Sequence, residues 1–180
     1  HGDISFGIST FDRQNGSPTN KNGVYSIKMF VDDKLIHHFE ADELSFSEKR
    51  FINAHIDFEE YTDNNIRFNR CYSLPYNKLS NYKVNINKGI LRFTDNQKHK
   101  VRFEVCDIEN NTSSVEFDIQ SEDTSPKFEY KDSGDMLTYD EAHTFNMSDF
   151  KVHIPSYSVY DNYHCEIDVK NKTENTLSKE

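Results

Sequence analysis

KVRFEVCD at residues 100–107 and SVEFDI at residues 114–119 are the two stretches that decide the fold. Both alternate apolar and polar side chains with a period of two, which is the pattern of a β-strand with one buried face. Residues 109–112 between them, Glu-Asn-Asn-Thr, favour a turn. The pair therefore predicts an antiparallel hairpin. Its apolar rows would face the same way: Val101, Phe103 and Val105 on one strand, Val115, Phe117 and Ile119 on the other.

The same alternation predicts further strands upstream of this hairpin. Residues 4–11 favour one strand with Ile4, Phe6 and Ile8 on a common face. Residues 24–31 and 35–40 favour a second hairpin, turned at residues 32–34, where two aspartates precede a lysine. Shorter strand patterns follow at 66–72, 82–86 and 90–93, with a turn at 87–89.

Two regions interrupt the β pattern. Residues 42–61 contain Ser45 and Glu48 at capping-box spacing, which predicts a short helix that crosses one end of the sheet structure. Residues 12–23 are rich in Asn, Gly and Pro and predict a loop. We expect a partner surface, if there is one, at the exposed loops 12–23 and 57–65.

The segment 121–126 predicts a domain boundary because it is polar, lacks periodicity and ends in Pro126. Residues 1–122 would form the first domain and residues 127–180 the second. Strand patterns in the second domain lie at 128–130, 136–139, 150–154 and 163–169. A unit of about fifty residues can form only a small core, so we expect the second domain to be truncated or to be stabilised by the first. The predicted fold class is all-β: an immunoglobulin-like β-sandwich with a short helical insertion, plus a partial second β unit.

Composition excludes several classes of function. The net charge of -10 and the absence of a basic surface argue against nucleic acid as a partner, and Lys98, His99, Lys100 and Arg102 are expected to be the solvated face of a strand. No apolar run is long enough to span a membrane. The three cysteines, Cys71, Cys106 and Cys165, are widely spaced, so buried free thiols are more plausible than a disulfide framework.

Candidate metal ligands are sparse. His38 and Asp42, in the pattern His-x-x-x-Asp, are the only pair in the sequence with the spacing of zinc ligands, and they would supply half of a zinc site. The neighbouring His37 would point to the opposite face of its strand. No third ligand lies nearby, so a solvated or hydrogen-bonded His38 is the simpler interpretation. Acidic and amide-rich runs at residues 32–33, 62–65 and 109–111 lack the regular oxygen spacing of an EF-hand and favour turns.

A polar cluster at residues 50–57 is the other candidate for chemistry. His55 and Asp57 could orient a base, with Arg50 and Asn53 nearby, but no nucleophile signature accompanies them. The favoured interpretation is that these four side chains satisfy backbone groups of an irregular segment. We therefore assign no catalytic, cofactor-binding or metal-binding residue, and we expect that the chain itself is not an enzyme.

Several strings together resemble a known family. They are GDISFGI at 2–8, NGVYSI at 22–27, FSEKRFINAHID at 46–57, NKGIL at 87–91 and FKVHIP at 150–155. This order resembles the region downstream of the catalytic domain in lysostaphin-type zinc metallopeptidases (metallopeptidase family twenty-three) of Gram-negative envelope bacteria. The string RFINAHID at residues 50–57 is the most specific part.

The resemblance implies a function for the parent protein. Such peptidases hold zinc with His-x-x-x-Asp and His-x-His motifs and cleave peptidoglycan cross-links, and His-x-His is absent here. The chain would then be a non-catalytic accessory domain, periplasmic or secreted, with a zinc-bearing catalytic domain expected N-terminal to His1. Its partners would be that catalytic domain and peptidoglycan or an envelope protein. The alternative is a stand-alone surface module that binds carbohydrate or protein.

Overall fold

The computed structural model describes residues 2–13, 21–122, 134–148 and 150–168. Contacts divide the chain into two compact units, residues 1–127 and 128–180. In the first unit the strands are β1 (Gly2–Ile4), β2 (Gly7–Ser9), β3 (Ser26–Val31), β4 (Lys34–Glu40), β5 (Phe68–Arg70), β6 (Tyr82–Asn85), β7 (Leu91–Phe93), β8 (Lys98–Cys106) and β9 (Thr112–Gln120). The helices are two 3-10 helices, Lys49–Ala54 and Ile86–Gly89, and one α-helix, α1 (Phe58–Asn64).

A five-stranded antiparallel sheet with the order β6-β4-β3-β8-β9 organises the first unit. Both predicted hairpins are confirmed. Val101 lies opposite Phe117 and Phe103 opposite Val115, so the two apolar rows share one face. The β3–β4 turn places Asp32 and Asp33 at φ 48° and 61°, the left-handed conformation that a two-residue hairpin turn of type I′ requires.

The core lies on one face of this sheet. Its buried apolar residues in the sheet include Ile27, Met29, Phe39, Val101 and Phe103. A second layer covers them: the ring of Phe6 packs edge-on against Phe103, and the ring of His55 stacks on Phe39. The residue before β2 and the residue after the first 3-10 helix thereby lie against the sheet.

The N-terminal strand differs from the prediction. Residues 4–11 do not form one strand: β1 pairs with β7 and β2 pairs with β5, and the chain changes partner between them. The Phe6 carbonyl accepts a hydrogen bond from the Cys71 N–H at this point. Ile4 is exposed, whereas the rings of Phe6 and Phe117 pack together. Alternation alone could not distinguish one long strand from two short strands in different sheets.

The short helix predicted within residues 42–61 is present, but its predicted start is wrong. Ser45 does not form a capping box with Glu48: its hydroxyl accepts from the Ser47 N–H, and the Glu48 carboxylate accepts from the Ser80 N–H. A 3-10 helix follows at Lys49–Ala54. Residues 57–65, predicted as a loop, contain α1.

The second unit has four described strands: β10 (Asp135–Leu137), β11 (His143–Asn146), β12 (Lys151–Ile154) and β13 (Tyr163–Cys165). They form two antiparallel pairs, β10–β13 and β11–β12. Leu137 is the one buried apolar residue among the described residues of this unit. Strand β11 was not predicted, and the strand predicted at 128–130 lies outside the described residues, as do residues 123–126 of the predicted linker.

The chain is thus predominantly β, as predicted. The sheets are small and open, and the immunoglobulin-like arrangement stays a prediction. All three cysteines are free, with Cys71 fully buried, and burial raises the pKa of its thiol to about 12. Among the described residues, no helix combines the length and apolarity needed to cross a membrane.

Candidate functional site

Residues 50–57, the segment RFINAHID, have two sides with different environments. Phe51, Ala54 and His55 are buried at 7%, 1% and 2% exposure and pack into the core. Ile52, Asn53 and Ile56 point the other way and line a groove on the surface. The segment therefore anchors itself in the core with one side and presents the other side to solvent.

Helix α1 follows this segment directly and forms the opposite part of the groove. Asp57 caps its N-terminus, with Oδ1 accepting from the Glu60 N–H at 3.3 Å. The other carboxylate oxygen, Oδ2, forms an ion pair with Arg70 at 3.1 Å. The helix ends at Asn65, whose φ of 55° is the left-handed conformation common at helix ends. Cap and ion pair together fix where α1 begins.

The α1 groove has a volume of about 390 Å³. It is lined by Ile52, Asn53, Ile56, Phe58, Tyr61 and Arg67. Phe58 is 72% exposed and Tyr61 51% exposed, and they lie three residues apart on one face of α1. Large apolar side chains that remain exposed next to each other are typical of an interaction site.

Arg67 is the one charged residue that lines the α1 groove. Among the residues that the structure describes, its guanidinium has no ion-pair partner. Glu59 and Glu60 belong to α1 but do not line the groove, and Glu60 accepts a hydrogen bond from Asn64. The groove thus combines apolar walls with a single positive charge, in a chain whose net charge is -10.

A buried histidine pair lies on the core side of the same segment. His37 Nδ1 is 3.2 Å from Asn85 Oδ1, and His55 Nδ1 is 3.3 Å from the Tyr82 hydroxyl. The Tyr82 ring lies 5.3 Å from the ring of His37 and 5.8 Å from that of His55. Neither Nε2 atom has a hydrogen-bond partner among the described residues.

Burial keeps both histidines neutral. Desolvation lowers the pKa of His37 to about 4. Desolvation, with the neighbouring His37 as the next cause, lowers the pKa of His55 to about 3. Burial also raises the pKa of Tyr82. His37, His55 and Tyr82 are therefore all uncharged at pH 7 on the buried side of residues 50–57.

The structure gives His38 and Asp42 different partners. His38 Nε2 is 3.1 Å from the Ser26 hydroxyl, and Asp42 forms an ion pair with Lys83 at 2.7 Å. Within the described ranges, no group of three or more His, Cys, Asp or Glu side chains is arranged to bind a metal ion. His37 points into the core, away from His38, as its strand position predicts.

The predicted polar cluster at residues 50–57 is divided between these environments. Asp57 satisfies a backbone N–H, as predicted. For His55 the prediction is wrong, because its ring contacts the Tyr82 hydroxyl instead of the backbone. The Arg50 guanidinium lies over the rings of Phe51 and Tyr76.

Three of the four basic residues of the cluster on β8, His99, Lys100 and Arg102, have anionic partners. Lys100 pairs with Glu116 at 2.6 Å, and Arg102 pairs with Glu104. His99 lies between Asp32 and Asp95, with its nitrogens 2.7 Å and 3.0 Å from their carboxylates. The hydrogen bond to Asp32, followed by that to Asp95, raises the pKa of His99. These cations already have anionic partners, in contrast to Arg67.

Sequence reasoning missed the groove residues Phe58, Tyr61 and Arg67. A signal for them exists, since Asp57-x-x-Glu60 has the spacing that was assigned to Ser45 and Glu48. A helix beginning at Asp57 places Phe58 and Tyr61 on one face.

No family model matches the chain, and comparison with curated proteins and with solved structures finds no match either. The resemblance to lysostaphin-type peptidases therefore stays a prediction.

Proposed function

We propose that this chain is a non-catalytic binding and positioning module, the accessory domain of a cell-envelope peptidoglycan metalloendopeptidase. One observation carries the proposal: residues 50–57 bury one side in the core and present the other as a wall of the α1 groove. A surface held this way is rigid before a ligand arrives, so binding orders few additional side chains.

The groove suits recognition better than packing within the fold. Phe58 and Tyr61 stay 72% and 51% exposed although the adjacent core buries Phe51 and Ala54 almost completely. Aromatic side chains offer large contact areas at low entropic cost, and they are enriched in binding sites. The α1 groove is therefore the proposed contact surface.

The resemblance supplies the biological setting of the proposal. Its most specific string, RFINAHID, is the same segment that forms the floor and one wall of the groove. We place the module in the bacterial envelope, periplasmic or secreted, beside a zinc-bearing catalytic domain, and we propose an immunoglobulin-like sandwich for its first unit. A stand-alone module that binds carbohydrate or protein is the alternative, and exposed aromatics on α1 would serve it equally.

Sedimentation with insoluble peptidoglycan sacculi tests the proposal. We expect the purified chain to pellet with sacculi and to release no soluble fragments from them, with or without added zinc. The double variant Phe58→Ser/Tyr61→Ser should lose about tenfold or more in affinity, because it removes both aromatic contacts.

Phe46→Ser is the matched control, since Phe46 is 91% exposed and does not line the groove. It should pellet like the wild type. Absence of pelleting by the wild type, or equal pelleting of the double variant, would refute the proposed function. Release of fragments by the purified chain would show that it is an enzyme.

A further inference from the structure

We infer that the α1 groove takes the peptide part of peptidoglycan, as an apolar group that carries a free carboxylate. This inference rests on the proposed function and names the ligand class of the same site. It comes from three properties of the groove: apolar walls, few polar groups and one cation, Arg67, that has no ion-pair partner in the part of the chain that the structure describes.

The walls argue for a small apolar side chain. Ile52 and Ile56 form one side and the rings of Phe58 and Tyr61 contribute to the other. Burying methyl or methylene groups between these walls is favourable because it removes apolar surface from water. A ligand that fits this part of the groove carries alkyl groups.

The small number of polar groups in the groove argues against the glycan strand of peptidoglycan as the ligand. A sugar ring brings several hydroxyl groups, and each needs a partner when it leaves water. The groove offers two polar side chains apart from the Tyr61 hydroxyl, Asn53 and Arg67. This number suits one carboxylate and one amide, which are the polar groups at the end of a peptide.

Arg67 supplies the charge for that carboxylate. Its guanidinium has five N–H donors in a planar fork that matches a carboxylate in bidentate geometry. Its Nη1 atom lies 3.9 Å from the position that a Cβ on Gly23 would occupy, so the side chain lies close to the backbone there. Other arginines in this unit are engaged: Arg70 with Asp57, Arg92 with Asp3 and Arg102 with Glu104.

The test measures affinity for N-acetyl-D-alanyl-D-alanine and for its C-terminal amide, with calorimetry on the full chain. We expect the acid to bind about tenfold more tightly than the amide, and Arg67→Gln to abolish this difference while leaving the amide unchanged. Arg67→Lys should recover part of it. Lys49→Gln is the control with equal charge change, because Lys49 is exposed near the same segment but does not line the groove.

Sacculi distinguish failure of the inference from failure of the proposed function. Excess free N-acetyl-D-alanyl-D-alanine should displace the wild-type chain from sacculi, and Arg67→Gln should pellet less with sacculi than the wild type does. If the free peptide does not reduce pelleting of the wild type, or if Arg67→Gln changes neither affinity nor pelleting, the inference is wrong and the proposed function stands. If the wild type does not pellet with intact sacculi, the proposed function fails with it.

Discussion

The two sides of the 3-10 helix at Lys49–Ala54 and the residues that follow it behave as different regions of the molecule. On the buried side, Phe51, Ala54 and His55 leave almost no exposed surface, and the His55 ring stacks on Phe39 of the sheet. On the open side, Asn53 and Ile56 face a groove with aromatic residues that the fold leaves uncovered. One short segment thus stabilises the fold with its buried side and contributes to the proposed binding surface with its open side.

This difference shows why a specific sequence string need not be a catalytic motif. Three of its eight side chains, Phe51, Ala54 and His55, are buried in the core, and three others, Ile52, Asn53 and Ile56, line the groove. Variants on the two sides should therefore have different effects. Those on the buried side change the free energy of unfolding, and those on the open side change binding.

The largest expected effect is that of Phe51→Ala. Phe51 is 7% exposed and its ring packs edge-on against Tyr76. Removing the ring leaves a cavity, so the free energy of unfolding should fall by about 3 kcal/mol. Asn53→Ala, two residues away on the open side, should change it by less than about 0.5 kcal/mol. Urea denaturation measures both, and equal effects would contradict the two-sided segment.

Acid should weaken the buried side through its histidines. Their pKa values are lowered in the folded chain, to about 4 for His37 and about 3 for His55. Below pH 6.5 the unfolded chain binds protons that the folded chain excludes, so stability is lost as the pH falls from 6.5 through about 4. The loss is roughly 3 kcal/mol for His37 alone, from the shift of its pKa from 6.5 to about 4.

His55→Phe tests this, because it keeps an aromatic ring against Phe39 and removes one titrating group. Its free energy of unfolding should fall less steeply than that of the wild type between pH 6.5 and 4. His99→Phe is the contrasting control. The pKa of His99 is raised by Asp32 and Asp95, so its contribution is present below pH 6.5 and lost as the pH rises through the folded pKa. Parallel pH profiles for the two variants would contradict these assignments.

A smaller effect is expected from Asp57→Ala at the junction of the two sides. The variant removes the cap of α1 and the ion pair with Arg70, so stability should fall by about 1 kcal/mol. Because α1 carries Phe58 and Tyr61, affinity for sacculi should fall as well. Asp57→Asn keeps a capping oxygen and should recover most of the helix. Loss of stability without loss of binding would show that α1 does not form the site.

The central hairpins could be predicted from sequence because the alternation and the turn that specify each hairpin lie within one continuous stretch of the chain. Val101, Phe103 and their partners on β9 alternate without interruption, and the register follows from that pattern and the turn. The pairings of β1 with β7 and of β2 with β5 join residues that are 59 to 91 positions apart. No local pattern around Ile4 or Phe6 indicates which distant strand each segment pairs with.

The candidate site was harder to predict for a related reason. Its residues come from the 3-10 helix and Ile56 after it, from α1 and from Arg67, and the ion pair of Asp57 with Arg70 holds the start of α1 in place. The sequence predicted the segment 57–65 as an exposed loop and a place to look for a partner surface; the segment contains α1, and the partner surface stays a prediction. The buried pair His37 and His55 lies eighteen positions apart in sequence and depends on the sheet face to bring it together.

The most direct test of the account is to map where a soluble muropeptide contacts the isotope-labelled chain by NMR. The account predicts shifts that are concentrated on the amides and methyl groups of Ile52, Ile56, Tyr61 and the Arg67 side chain, with little change at His37 or Phe51. Shifts concentrated elsewhere, such as on β9, or no shifts at concentrations that saturate sacculi binding, would contradict the assignment of the α1 groove as the binding surface.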